Sequence, residues 1–429
     1  MARRLTKSVI NSISQNSVDH IDCLVPSGLL HLAPGTPQPR LTPEGLAAVR
    51  LSWKDGHLLE PVPLPDHEPN PELMVLPRLV DAHVHLDKAF TWSEFPNLEG
   101  TYSGALAANL REHGTRTVER VVQRGERALQ QAFQHGFRAL RSHIDSGGVG
   151  ADPSWEALLE LQKRWCDRIE LQFVALVPIA FWSSSEGERL AARVATAGGL
   201  LGGVVAPPYR AAETRRHLKA LFELAERFCC GIDLHIDEAD AAAGQGIRQL
   251  LKVFDRMPVS VPITCSHASS LALLGKTALR QIGDRMAAAR FQVISLPLTN
   301  AWVLGRVPDV TPVLRPQAPI RQLQRCGVQV AVAGDNVADP WFPGGDFDPL
   351  SLISASVPIT QLLPWQRLGL APFTTTAASL LQLSWDGTLH AGAPADLIRI
   401  EAGSWSELLN RPPSRRILVN GHWISPDVG

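Results

Sequence analysis

The chain has 429 residues, of which 45% are hydrophobic and 19% charged, with a formal net charge of -1. This is the composition of a folded globular protein with room for a barrel of ~250 residues and a smaller module, and its balanced charge gives no bulk attraction to nucleic acid or to an anionic membrane surface. Six cysteines, at 23, 166, 229, 230, 265 and 326, show no CxxC spacing and are too sparse for a disulfide scaffold, so a reducing compartment and a cytoplasmic location are expected.

In chain order, the N-terminal MARRLTKSVINSISQNSVDH is basic and carries serines but lacks the apolar core of a secretory signal. The apolar runs IDCLVP, LLHLAP and AAVRLSW within residues 1–73 predict short strands joined by Pro/Gly turns. From residue 74 to 384 apolar strands alternate with amphipathic helices, which argues for βα units and a parallel sheet. Val118, Val121, Val122, Ala128, Leu129, Ala132 and Phe133 recur at helical spacing, and Gly136 stands where a C-terminal cap belongs. A second helix takes Asp152 as N-cap and Pro153 in its first turn, burying Trp155, Leu158, Leu159 and Trp165.

The strand-like segments MVLPRLVDAHVH, FRALRSHID, IELQFVALVPIA, LLGGVVAPP, GIDLHID, VPITCSHAS, FQVISLPL and VQVAVAGDN number eight. Eight parallel strands predict an α/β fold, a (β/α)8 TIM-type barrel. Over 385–429, ADLIRI and RRILVN read as strands, and Asn420-Gly421 as a hairpin turn. The two β-rich ends are expected to pair into one small β-sandwich-like domain. No run reaches the ~20 apolar residues of a membrane span, because the charge-free stretches 291–305 and 349–366 are interrupted by polar residues and Pro.

Polar residues cluster where the barrel strands end, the place where chemistry gathers in such folds. His83 and His85, two apart on a strand, project from one face and can converge on a metal ion. A lone HxH pair is more often incidental, but His235 and Asp335 end other strands, and three nitrogens with one carboxylate hold a divalent ion and leave a position for water. Glu238, three residues beyond His235, is placed to move protons; the plain alternative is a solvated acid among Asp237, Glu238 and Asp240. His267 is a candidate for orienting water, with a hydrogen-bonded core histidine as the alternative. Lys88 is a candidate for an anionic or carbonyl group of a substrate, or for an ion pair with Asp87 or another acid. His143 and Asp145 end the second strand and are expected to face the pocket. Histidines 20, 31, 57, 67, 113, 135, 217, 390 and 422 are expected at the surface.

The blocks VDAHVHLDKAF, RSHIDS, LHIDEAD, TCSHAS and GDNVADPWFP stand in the order and at roughly the separations of the amidohydrolase superfamily branch that includes cytosine deaminase. The resemblance covers about 73 to 385, and both ends resemble the strand-rich domain that family builds from its termini. It implies His83, His85, His235 and Asp335 as ligands of one divalent metal ion, zinc or iron; Asp335 and Glu238 as catalytic acids, Glu238 protonating a ring nitrogen and later assisting departure of ammonia; and His267 as the residue positioning the hydrolytic water. Trp341 matches an aromatic residue near the substrate pocket, with core packing as its alternative.

Three departures bear on substrate and metal count. Pro178 stands where cytosine deaminases carry a glutamine that reads the pyrimidine amide edge, which argues against cytosine itself. Asn336 replaces an aspartate beside Asp335, turning a charge into a neutral amide. GLLGGVVAPPYR offers no lysine to bridge two metals, which favours one ion. The expected activity is a metal-dependent aminohydrolase acting on a small nitrogen heterocycle with water, with His143, Lys88, Asn336 and Trp341 contacting substrate. The alternatives are hydrolysis of a ring amide or N-alkyl C–N bond on a related ring and, from another class, a non-catalytic ligand-binding barrel, against which the four ligands with Glu238 argue. Family members often self-associate, so a homo-oligomer is left open, with no surface identifiable from sequence.

Overall fold

The computed structural model describes residues 18–424; most of the basic N-terminal segment lies outside them. The first strands are β1 (Asp19–Pro26), β2 (Leu46–Lys54), β3 (His57–Leu58), β4 (Val62–Pro63) and β5 (Met74–Pro77). LLHLAP forms no strand. Ser27–Leu29 closes a 3-10 turn and Leu30 makes a lone bridge to Leu389, with no neighbouring strand to extend that bridge into a ladder.

The barrel follows: β6 (Leu79–Val84), β7 (Phe137–Asp145), β8 (Glu170–Leu176), β9 (Leu200–Val205), β10 (Ile232–Ile236), β11 (Ile263–His267), β12 (Gln292–Ser295) and β13 (Gln329–Val332). These eight pair in sequence order, all in parallel. MVLPRLVDAHVH is thus two strands: β5 leaves for the small sheet at Pro77 and the barrel begins at Leu79. A bridge between Val84 and Asp335 draws the last strand end against the first.

β14 (Leu397–Ile400), β15 (Arg415–Val419) and β16 (His422–Trp423) complete a second sheet of order β16-β15-β14-β5-β1-β2-β3, with β4 also on β2. Both ends of the chain therefore share one sheet. Alternation gives it two buried faces. Leu24, Ala48, Met74 and Leu76 join the core continuous with the barrel, and Cys23, Val25, Val49, Leu51 and Val75 pack with Trp385 and Leu389 on the other side. Asn420 (φ 49°) and Gly421 (φ 77°) are both left-handed, the backbone a two-residue turn between β15 and β16 requires.

The helix from Val118 to His135 ends at Gly136 with φ 107°, where an added Cβ would meet Ile398 at 2.6 Å. The next helix, Ala151–Trp165, begins two residues earlier than expected, with Gly150 as its N-cap and Asp152 inside the first turn, reaching out to Arg193. Two histidines expected at the surface are buried. His113 shares the inward face of its helix, Tyr102–His113, with Asn109 and Glu112, and His217 bonds Ser183 Oγ at 2.7 Å. Among the described residues no helix is long and apolar enough to cross a membrane.

Asp348 joins the two sheets' surroundings: it caps the helix Pro349–Thr360, accepting the Leu350 N–H at 2.8 Å, and pairs with Arg415 of β15 through both guanidinium nitrogens. Burial alone would raise its pKa, but the Arg415 hydrogen bonds and charge hold it below the usual carboxylate value. The stability this provides is complete above the unfolded value of ~3.9 and is lost as pH falls through the lower folded value. Asp348→Ala, which removes the cap and strands a largely buried guanidinium, should cost about 3–5 kcal/mol in urea unfolding at pH 7, and Asp348→Asn less. The gap between wild type and Asp348→Asn should narrow as pH is taken from 5 to 3; a constant gap would show that the carboxylate's charge contributes nothing.

Candidate metal and catalytic centre

Parallel strands deliver their C-terminal residues to one end of the barrel, and the site is built there. His83 lies on β6 with His85 just past its end; His143 is on β7, His235 on β10, and His267 ends β11. Asp335 follows β13, and its N–H donates to the His83 carbonyl at 2.9 Å. This bond carries the late carboxylate to the first strand. Asp81 secures the same seam from beneath, accepting the N–H groups of His83 (3.2 Å) and Gly334 (3.1 Å). A Cβ at Gly334 would sit 2.8 Å from Asp81 Oδ2, so only glycine allows that approach. Burial pushes Asp81 up to about 7, against the lowering effect of those N–H groups.

Three residues at the rim, Asp237 (φ 55°), His267 (φ 69°) and Asp335 (φ 62°), adopt the left-handed conformation. Non-glycine residues pay ~1–3 kcal/mol for it, and such strain concentrates at functional sites. At these positions the chain leaves its strand in a sharp turn that keeps the side chain at the strand mouth.

The histidines form a single buried cluster. Ring centroids of His83 lie 5.3 Å from His85, 4.7 Å from His235 and 5.7 Å from His267, and His83 stacks on His143 at 3.7 Å and 24°. Nε2 of His85 and of His83 approach Asp335 Oδ1 at 3.2 and 3.5 Å. One ligand atom each from His83, His85 and Asp335 lie within 4.8 Å of one another, as do those of His83, His235 and His267. Nε2 of His83 and both Asp335 oxygens are buried without a hydrogen-bond partner among the described residues. Burial, reinforced by the neighbouring imidazoles, holds His83 and His235 well below the ordinary histidine value, so both are neutral and present lone pairs. Burial would raise Asp335, but the close approach of His85 Nε2 and the nearby imidazoles keep it low and ionised. Neutral imidazoles with an ionised carboxylate are the protonation states a divalent cation needs, and the residues fit one.

The acids after β10 separate into three environments. Asp237 is buried, accepting the Gly246 and Ile247 N–H groups at 2.8 Å each. Asp240 is exposed. Glu238 is nearly buried, with Oε1 3.4 Å from His267 Nδ1 and Oε2 accepting from Tyr102 at 3.4 Å. Burial first, then the Asp335 charge, lifts Glu238 well above the carboxylate range, while Tyr102 and Lys88 act the other way. It therefore keeps its proton near neutrality. His267 falls to about 4, chiefly through burial, with Asp335 opposing; its Nδ1 lies 3.0 Å from Asn300 Nδ2, and its Nε2 has no partner among the described residues.

The residues expected to contact substrate are placed differently from one another. Lys88 is buried and pairs with Asp145 at 2.8 Å, the ion-pair alternative. Asn336 is buried and donates to Asp339 Oδ2 at 2.7 Å. His143 is wholly buried beneath the cluster, with Nε2 3.8 Å from Asp233. Trp341 is half-buried and meets the Tyr102 ring edge-on at 4.9 Å. Pro178 is exposed just past the end of β8.

Sequence reasoning missed the groups that brace these residues. The chain has only two tyrosines, and both serve this loop, Tyr102 on Glu238 and Tyr209 on Asp237 at 2.8 Å; their rarity was a usable signal. Arg116 was also missed. It binds Asp87 and Glu112 at 2.7 Å and Asp145 at 3.0 Å, while Arg124 takes the other Glu112 oxygen. This buried network fastens the helix bearing Tyr102 to the ends of β6 and β7.

A family model described as the amidohydrolase family matches residues 197–423, over half of the chain. A pterin deaminase of Rhizobium rhizogenes is 32% identical over 81% of this chain and 79% of its own length. The chain belongs to the amidohydrolase family. It is accordingly a hydrolase of C–N bonds other than peptide bonds, in a family that depends on metal. This amidohydrolase is also similar to an N-isopropylammelide isopropyl amidohydrolase of a Pseudomonas species, 25% identical over 82% of this chain and 86% of that one. Its fold matches that of the 5-methylcytosine deaminase of Klebsiella pneumoniae, with a TM-score of 0.79 and 23% identity over 90% of this chain and 96% of that one.

Arg116→Leu would leave Asp87, Glu112 and Asp145 facing one another in the interior. It should lower the unfolding free energy by about 3–5 kcal/mol in urea titration. A loss below about 1 kcal/mol would mean that the three carboxylates are satisfied without the guanidinium.

Proposed function

We propose that this amidohydrolase is a single-ion deaminase that exchanges the exocyclic amino group of a planar nitrogen heterocycle for oxygen, consuming water and releasing ammonia. The observation that carries the reading is the convergence of three imidazoles, those of His83 and His235 neutral through burial, and Asp335 beside a nearly buried acid whose pKa is raised well above the carboxylate range. His83, His85, His235 and Asp335 would hold the ion, and zinc or iron suits this donor set equally. When bound, the ion supplies Lewis acidity that makes water nucleophilic near neutral pH. A count of one is supported by the absence of lysine from β9.

Glu238 holds its proton and can deliver it to a ring nitrogen beside the carbon under attack. The carboxylate so formed can take a proton from the attacking water, pass it to the departing amine, and then take the remaining hydroxyl proton as the carbonyl forms, so the acid ends as it began. His267, with Nδ1 turned to Asn300 and Glu238, is placed to orient that water. Trp341 and Tyr102 offer an aromatic wall close to Glu238 on which a flat ring can stack. The likeness to a pterin deaminase makes an amino-bearing fused ring the first class to test. Cytosine ranks below it because Pro178 offers no amide at the position of the pyrimidine-reading glutamine. The likeness to the isopropylammelide enzyme supports a second reading, release of an alkylamine from a triazine.

The test is an amine-release screen of the zinc- or iron-loaded protein over pterins, aminopurines, aminopyrimidines and N-alkylaminotriazines. Ammonia from an amino-bearing ring is expected; alkylamine alone would replace the first reading by the second. On the best substrate Glu238→Gln should lower kcat by at least about 10²-fold with metal retained, and His235→Ala should lose both metal and activity. Near-normal turnover in Glu238→Gln would remove that residue from the proton path.

A further inference from the structure

The ligands expected to hold the ion are not supported alike. Nδ1 of His85 and Nδ1 of His235 are buried with no hydrogen-bond partner among the described residues. Nδ1 of His83, in contrast, lies 3.0 Å from Ser266 Oγ on β11. Ser266 Oγ donates at 2.7 Å to Asp233 Oδ1 on β10. The other Asp233 oxygen accepts from Arg141 of β7 at 3.1 Å, and Arg141 is itself fixed by the Leu380 carbonyl at 2.7 Å. His83, Ser266, Asp233 and Arg141 are all buried.

The direction of this chain follows from what each group can do. Arg141 only donates, and a carboxylate only accepts. The single hydroxyl proton of Ser266 is committed to Asp233, so toward His83 the serine can only accept. His83 must then carry its proton on Nδ1, which leaves the lone pair on Nε2, the atom facing Asp335. The geometry points to Ser266 and Asp233 as positioning residues that fix the tautomer and ring orientation of His83 for metal binding. This goes beyond the donor set by assigning the groups that set its protonation geometry, and it rests on His83 being a ligand in the proposed function. Partners of this kind behind a ligating histidine typically govern metal affinity by 10–100-fold.

The chemistry separates two variants. Ser266→Ala removes one oxygen and leaves His83 free to adopt either tautomer. Asp233→Asn is nearly isosteric, but Arg141 draws the amide oxygen to its own side and turns the NH2 toward Ser266. The hydroxyl then points at His83 Nδ1, which moves the imidazole proton to Nε2 and hides the lone pair. Zinc affinity of the purified full chain, measured by competition with a chromophoric chelator, needs no substrate and so does not depend on the reaction assigned. Ser266→Ala should bind zinc 10–100-fold more weakly than wild type with an unchanged melting temperature of the metal-free protein, and Asp233→Asn more weakly still. Zinc affinity of Ser266→Ala within twofold of wild type would overturn the proposal, whether or not Asp233→Asn folds. His83→Ala is the control: if it binds zinc like wild type, the ligand assignment fails and the inference with it; if it loses zinc while Ser266→Ala does not, the inference alone fails.

Discussion

The structure depends on the closing of the barrel between its last strand and its first. One backbone hydrogen bond, from Asp335 to the carbonyl of His83, and one buried carboxylate, Asp81, shared by the N–H groups of His83 and Gly334, hold that seam. Without them the late acid would have no fixed distance from the early histidines. Every other feature of the centre takes its position from this line: His235 and His267 arrive on strands whose parallel register is counted from β6, and Glu238 hangs from the turn after β10.

Around that seam the protein separates two electrostatic regimes that lie side by side. In the histidine cluster desolvation removes protons, leaving His83 and His235 neutral in a cluster that holds a single ionised acid, Asp335. One layer outward, Lys88, Arg116 and Arg124 meet Asp87, Glu112 and Asp145 in an equal number of opposite charges. Buried charges are tolerated only when matched in this way, and the matched set carries the helix that brings Tyr102 to Glu238. The same low polarity that would penalise an unpaired ion keeps Glu238 protonated.

Much of the architecture was legible because it rests on local pattern. The eight strand segments, the Gly136 cap and the Asn420-Gly421 turn are each written in neighbouring residues, and polar residues at apolar strand ends marked His83, His85, His235, His267 and Asp335. Where the reading fell short, the cause was long-range. LLHLAP is apolar enough for a strand but has no ladder to join, and His113 and His217 look like surface residues until helix faces are assigned. Ser266, Asp233 and Arg116 act through partners on other strands or distant turns, and the register that creates those partnerships has no signature in a single sequence.

The small sheet has a bearing on how the molecule comes into being. β5 at Met74–Pro77 is flanked by β1 from the beginning of the chain and β14 from near its end, Leu397–Ile400. During synthesis β5 must therefore wait, one edge open, until the segment up to Ile400 has emerged from the ribosome. Long-range pairing of this kind is slow and leaves an unpaired edge open to mispairing. Newly made chains are thus most vulnerable to aggregation or to chaperone capture at that edge, far from the chemistry, until the closing strand arrives.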